Sequence, residues 1–404
     1  MSNRQVATGI VRQLRKAGFE ALFAGGCVRD MLLGRRAKDY DVATNAVPKQ
    51  VMRLFRRTLK VGAKFGVVIV LVGKEQVQVA TFRSEGGYTD GRHPGHVVFS
   101  TAEEDAGRRD FTINGMFYDP IRREVIDYVG GQRDLEKRLI RTIGKAQERF
   151  EEDYLRMLRA VRFSTQLGFE IERCTYQAIC KTAGQINRIS GERIAMELEG
   201  ILADENRSAG IEMLLDTGLA EHIFGRFAGA EAQMSVKVLS ELPKKVSFGL
   251  GLAALFVGWA VESGLEKCRR LKLSRSQLRH IKFLLQNRGV LLDGDMSLAR
   301  LRRLAAEPYF GDLYQLQRAI QRAGGGAMSS LDKIRRRVRA LGNIELTPKP
   351  LLDGYELMRL GAEPGPSLGQ LAEEMYVAQL EGHLKTAEEA RQWVRRRLGG
   401  MNAV

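Results

Sequence analysis

Hydrophobic and polar positions divide this chain into two unlike parts. Up to about residue 140, short apolar runs alternate with turn residues; from about residue 146, apolar residues recur at helical spacing and Gly and Pro fall between the periodic segments. Residues 1–17 predict an amphipathic helix, followed by a strand through Leu22 and Phe23. A short helix around Met31–Leu33 ends at Gly34, and a strand holding Asp39 and Asp41 follows. Residues 47–57 predict a helix with Pro48 in its first turn, where the missing N–H costs nothing. Val67–Val72 and Gln76–Phe82 predict a hairpin turning near Gly73 and Lys74. The fold class is therefore α+β, a small mixed sheet with helices and then an all-helical remainder. Gly324–Gly326 predict a helix break, and residues 346–350 (LTPKP) a linker.

The richest chemistry lies between Phe23 and Thr44, FAGGCVRDMLLGRRAKDYDVAT. Residues i and i+2 of a strand share a face, so Asp39 and Asp41 form a site for a hard divalent ion such as Mg²⁺. Upstream, Gly25 and Gly26 allow backbone N–H groups to approach a phosphate, and Arg29 can add charge-assisted hydrogen bonds. A phosphate cradle beside metal-binding carboxylates is equipment for phosphoryl or nucleotidyl transfer. A second constellation is EEDYLRMLRAVRF at 151–163. Phe150, Tyr154, Leu158, Val161 and Thr165 form a core-facing stripe, while Asp153 and Arg156, three apart, share another helical face. Such a pair suits reading a base edge: the carboxylate accepts from the exocyclic amine of cytosine or adenine, and the guanidinium donates to the ring nitrogen. Guanine and uracil would set a carbonyl against the carboxylate and an N–H against the guanidinium.

Composition narrows the setting. At 404 residues the chain exceeds one compact domain, and roughly two to four are expected. A net charge of +16 points to a polyanionic partner, RNA ahead of DNA or membrane because the excess accompanies a nucleotide site. No apolar run approaches a bilayer span, and the N-terminus lacks a signal-peptide core, so a cytoplasmic protein is expected. Cys27, Cys174, Cys180 and Cys268 are scattered without the spacing of a disulfide framework or zinc site. Basic amphipathic segments at 269–288 and 333–342 are expected to contact RNA phosphates.

The stretch from Phe23 to Thr44 resembles the signature of the class II nucleotidyltransferases, the CCA-adding enzymes (tRNA nucleotidyltransferases) and bacterial poly(A) polymerases. ATFRSEGGYTDGRHP at 80–94, RRDFTING at 108–115 and RFEEDYLRMLRAVRFSTQLGF at 149–169 match further family blocks in the same order, covering roughly the first half of the chain; 345–395 resembles the family tail more loosely. The resemblance implies a nucleotidyltransferase head (1–140), a helical neck that recognises the base (141–205), a helical body (206–343) and a tRNA-binding tail (344–404). It makes Asp39 and Asp41 catalytic metal ligands for Mg²⁺. It places Gly25, Gly26, Arg29, Arg109, Asp153, Arg156, Arg159 and Arg162 at the nucleotide. The family pattern adds a third carboxylate ahead of Thr-Phe-Arg; here Gln78 stands in that place, which supplies no charge.

Further blocks carry further expectations. The Gly-rich segment from about Ser84 to Thr101 matches the flexible loop implicated in switching from C to A addition. GGQRDL at 130–135 resembles the hinge between head and neck, and GERIAMELEGIL at 191–202 the block that buttresses the neck, with Arg193 and Glu197 spaced for an ion pair. The implied activity is template-independent addition of CMP and AMP from CTP and ATP to the tRNA 3′ end. An A-adding specialist beside a separate CC-adding enzyme, a poly(A) polymerase, and an RNA-binding protein with a decayed head are the alternatives. The oligomeric state is not readable from the sequence.

Overall fold

The computed structural model describes residues 2–60, 66–86 and 96–401. The chain forms two compact units: Met1–Ala232 with Glu266–Leu273, and Gln233–Leu265 with Ser274–Val404. The first unit is thus discontinuous in sequence. The returning segment is tied in by Lys267, whose Nζ donates to the carbonyls of Phe224 (3.0 Å) and Arg226 (2.9 Å). Lys272 reaches Glu192 at 3.4 Å.

The first unit opens with helix α1 (Asn3–Lys16), started by a capping box between Ser2 and Gln5. The strands are β1 (Ala21–Ala24), β2 (Asp41–Thr44), β3 (Thr58–Leu59), β4 (Val67–Val72), β5 (Glu75–Thr81), β6 (Arg83–Gly86), β7 (His96–Phe99), β8 (Phe117–Asp119) and β9 (Glu124–Ile126), and two short ones, β10 (Leu139–Ile140) and β11 (Glu170–Ile171), pair in parallel beyond them. Among the described residues, seven of them form one mixed sheet in the order β3-β4-β5-β2-β1-β8-β9, with β2 and β5 parallel and the other pairs antiparallel. Phe23, Val42 and Val79 occupy one sheet face, against which α1 lays its buried Val6, Ile10, Val11 and Leu14. Leu22, Ala24, Ala43 and Phe117 occupy the other, covered by Ala102 and Ala106 of α4 (Ala102–Gly107).

The expected hairpin is β4 and β5, and the helix at 47–57 is α3 (Pro48–Leu54). The segment expected as a long loop from Ser84 to Thr101 is ordered at its base, where β6 pairs with β7; residues 87–95, including Asp90, Arg92, His93 and Pro94, lie outside the described residues. The Gly130–Gly131 turn is tied rather than loose. Gly130 is left-handed (φ 77°), and Asp127 accepts N–H bonds from Val129, Gly131 and Gln132. A Cβ on Gly131 would stand 2.3 Å from the Thr112 carbonyl oxygen, so only glycine allows this approach. Helices α5 (Gly131–Glu136), α6 (Ala146–Glu152), α7 (Leu155–Leu167), α8 (Arg173–Thr182) and α9 (Gly191–Leu202) follow.

The described part of the second unit is helical. Its 346–350 stretch breaks the helical pattern as expected, yet it and its flanks are held tightly. Arg302 donates to the carbonyls of Leu346 (3.0 Å), Glu345 (2.6 Å) and Leu380 (3.0 Å), and Gln379 bonds Leu351 N–H and the Lys349 carbonyl. Beyond it, Leu357, Leu371, Met375, Ala390 and Val394 form a separate small core. No described helix is long and apolar enough to cross a membrane.

Candidate active site

β1 runs into the Gly25–Gly26 turn, and α2 (Gly26–Leu32) begins at once, so the first N–H groups of the helix open beside the sheet. Gly25 has φ 75°, and a Cβ there would lie 2.9 Å from Arg109 Nη1. The glycine thus lets a guanidinium rest against the turn. Gly26 has ordinary space, with Arg29 Nη2 at 3.6 Å from its would-be Cβ. Arg29 donates to Asp30 (2.7 and 2.9 Å) and to Asn114 Oδ1 (2.8 Å), and its guanidinium lies 5.2 Å from the Phe163 ring centre.

Asp41 is the first residue of β2, opposite Ala24; Asp39 lies two residues before the strand, so the expected strand holds only Asp41 and strand alternation does not set the two on one face; both residues are exposed. The parallel pairing of Val42 with Val79 sets Asp41 beside Gln78, and both point away from the buried valines. Surrounding protein pushes the Asp41 carboxyl above its ordinary pKa; Arg109 opposes this and Asp39 adds to it. Among the described residues, neither Asp39 nor Asp41 accepts a side-chain hydrogen bond or forms an ion pair, and no three His, Cys, Asp or Glu side chains are grouped to hold a metal. Two neighbouring carboxylates that no described side chain pairs with fit a divalent ion, with Gln78 able to offer only a neutral oxygen.

Arg108 and Arg109 follow directly on the last residue of α4. Both grip buried Asp105 at 2.7 and 2.9 Å, which holds that carboxyl below its usual pKa against the cost of burial. Arg109 also lies 5.0 Å over the Phe117 ring, on the sheet face that carries Asp41. Asp110 receives Arg159 through Nε and Nη2 (2.9 and 2.6 Å), Asn114 (3.2 Å) and its own neighbour Phe111 N–H (2.8 Å). These contacts overcome its burial and lower its pKa to about 2.

Asp153 does not share a helical face with Arg156. It is extended (φ −154°, ψ 102°) in the break between α6 and α7, while Arg156 stands in the first turn of α7. The expected core stripe survives the break, since Phe150, Tyr154, Leu158, Val161 and Thr165 are all buried. Nor do Arg193 and Glu197 pair with one another. Arg193 makes a two-pronged bond to Asp153 (2.6 and 3.2 Å), and Glu197 takes Arg162 (2.5 Å) and Arg159 (3.7 Å). Helical spacing permits a pair at i and i+4, but the Asp153 carboxylate in the break takes Arg193, and two guanidinia of the facing helix α7 take Glu197. Arg156 uses Nη1 for Glu152 (2.5 Å) and the Arg149 carbonyl (2.8 Å); its remaining N–H groups have no bond among the described residues.

Three of the expected arginines converge on one ring that the sequence did not single out. Arg162, Arg29 and Arg159 lie 4.2, 5.2 and 5.3 Å from the centre of Phe163. Asn114, Asp105, Glu152 and Arg149 were likewise missed. Asn114 lay within a noted block, but nothing in spacing alone ties it to Arg29, 85 residues earlier.

Residues 21–141 match the Poly A polymerase head domain, and residues 168–229 match the family described as a probable RNA and SrmB-binding site of polymerase A. The CCA-adding enzyme of Geobacillus kaustophilus is 48% identical over 220 residues, an alignment that spans about half of either chain, 54% of each. The CCA-adding enzyme of Lactobacillus delbrueckii subsp. bulgaricus is 34% identical over 392 residues, 95% of each chain. Among solved structures, the Bacillus stearothermophilus CCA-adding enzyme in complex with CTP superposes with a TM-score of 0.84 at 30% identity, covering 100% of this chain and 99% of that one. Sequence likeness along nearly the whole length, with the same fold beneath it, means that this chain belongs to the CCA-adding enzyme family of nucleotidyltransferases.

Proposed function

We propose that this chain extends the 3′ end of tRNA without a template, transferring CMP and AMP from CTP and ATP and releasing pyrophosphate, in the cytoplasm. The observation that carries the reading is the sheet register: Asp41 opposes Ala24, the residue before the Gly25–Gly26 turn, and Arg109 lies over the same face. Asp39 and Asp41 would hold Mg²⁺. When bound there, the ion would orient the primer hydroxyl and take up charge on the α-phosphate and the leaving pyrophosphate. The chain's own groups do the rest. The N–H groups of the Gly25–Gly26 turn, Arg29 and Arg109 receive the triphosphate. Asp153, oriented by Arg193, accepts from the exocyclic amine of cytosine or adenine, and the open N–H groups of Arg156 donate to the ring nitrogen. Arg159 and Arg162, held by Asp110 and Glu197, line the same pocket. One pocket serves both bases, and the division into head (1–140), neck (141–205), body (206–343) and tail (344–404) follows from this reading.

The test uses tRNA transcripts ending at the discriminator base or at CC, incubated with Mg²⁺ and CTP, ATP or both, and sized at single-nucleotide resolution. Three residues added to the bare end, then a stop, is the expected result. One A on the CC end alone would make it an A-adding specialist, and a long A ladder a poly(A) polymerase. Asp39→Ala and Asp41→Ala are expected to abolish transfer and leave tRNA binding intact; retained transfer would overturn the metal assignment.

A further inference from the structure

Arg149 stands on α6, and nothing in the proposed mechanism uses it. It is nonetheless bonded to the phosphate side of the nucleotide site directly and to the base side through Glu152 and its own backbone carbonyl. One end of the guanidinium, Nη2, donates to the carbonyls of Arg108 and Arg109 (2.7 Å to the latter), where α4 ends and carbonyls would otherwise lack helical partners. The other end, Nη1, donates to both oxygens of Glu152 at 2.6 Å. Glu152 in turn accepts from Arg156 at 2.5 Å, and Arg156 also bonds the backbone carbonyl of Arg149 at 2.8 Å. The Arg149 and Arg156 side chains are only 11% and 10% exposed, so these bonds are little weakened by water. From the backbone of Arg109 to the guanidinium of Arg156 there are two intervening side chains.

We propose that Arg149 is a positioning residue that couples phosphate placement to base selection. This rests on the reading above, in which Arg109 meets the triphosphate and Arg156 meets the base. A planar guanidinium with two donor edges can hold carbonyls on one side and a carboxylate on the other; an ammonium cannot span both with the same geometry. A base that displaces Arg156 pulls on Glu152 and Arg149, and through them on the Arg108–Arg109 backbone. Misreading at one end of the nucleotide thereby loosens the grip at the other.

The experiment measures kcat and KM for CTP and UTP on the bare tRNA end, and for ATP on the CC end. The variants are Arg149→Lys, Glu152→Gln, Arg156→Ala and the Arg149→Lys/Arg156→Ala double. Circular dichroism and tRNA gel shift check fold and RNA binding. Arg149→Lys is expected to raise KM for CTP and ATP and to lower the CTP-over-UTP preference by about tenfold, the size of a typical coupling between contacting residues. In the Arg156→Ala background the same change should have little further effect on that preference. Glu152→Gln weakens the relay at its middle while leaving the Arg149 side chain in place and should shift the preference the same way, which keeps the test open if Arg149→Lys folds poorly. An unchanged preference in Arg149→Lys and Glu152→Gln, or additive effects in the double, would overturn the proposal. Should Arg156→Ala alone leave the preference unchanged, the base-reading role of Arg156 fails; a loss of preference in Arg149→Lys alongside it would then show that no relay runs through Arg156, and would overturn the proposal too.

Discussion

Replacing Asp110 by Asn should destabilise the first unit by about 2 kcal/mol at neutral pH. The carboxyl falls from its ordinary 3.8 to about 2 because Arg159, Asn114 and the Phe111 N–H all bind its charged form. A depression of that size is worth roughly 2 kcal/mol. The sign follows from the direction: a folded-state pKa below the unfolded one gives stability that is complete above 3.8 and is lost as pH falls through 2. Asparagine imitates the protonated acid in shape and charge, so the difference between wild type and variant should be about 2 kcal/mol at pH 7 and about 1 kcal/mol at pH 3. Arg159 keeps Glu197 at 3.7 Å and is a third exposed, which limits the harm of the lost partner. Urea unfolding followed by far-ultraviolet circular dichroism reads the change. A variant as stable as wild type at pH 7, or a gap that stays constant down to pH 3, would refute the account of Asp110 as a strongly held anion.

Three further outcomes are expected. Gly131→Ala should cost about 1–3 kcal/mol of first-unit stability, because its Cβ meets a backbone carbonyl at 2.3 Å that cannot step aside; a melting temperature within a degree of wild type would show that the turn yields. Gln78→Glu adds a third carboxylate beside Asp41 and should lower the Mg²⁺ concentration needed for half-maximal transfer several-fold, by roughly 1 kcal/mol of binding; an unchanged Mg²⁺ titration would remove residue 78 from the ion's surroundings. Arg302→Leu strips three carbonyls of their donor and should lower second-unit stability by about 2–4 kcal/mol, seen as an earlier tryptophan fluorescence transition.

What the sequence made legible follows from the range of the signals. The β4–β5 hairpin, α1 and the glycine turn are written in local periodicity and turn chemistry, and they came out within a residue or two. That residue 78 belongs near Asp41 was implied by the family resemblance alone, and the β2–β5 pairing sets the two side by side. The ion-pair partners did not. Arg193 and Glu197 satisfy the local spacing rule for a pair, yet each found a better partner on another segment, 40 and 35 residues away. Spacing along one helix reports which groups can meet, while packing between helices decides which do. Phe163 was hidden for the same reason: an apolar residue in a core-like pattern gives no sign that three guanidinia will gather on its ring.

The discontinuity of the first unit bears on how the chain is made. Its last contributing residue is Leu273, reached only after Gln233–Leu265 of the second unit has already been synthesised. On a ribosome, where chains fold from the N-terminus as they emerge, the unit that carries Asp41 is not complete until that stretch is outside and the Lys267 tether can reach Phe224 and Arg226. A nascent chain halted near residue 232 would therefore hold every candidate active-site residue named above and still lack part of the unit that supports them. Arrest of translation at successive lengths, with protease resistance as the readout, should show protection of the first unit rising only once residue 273 has cleared the exit tunnel.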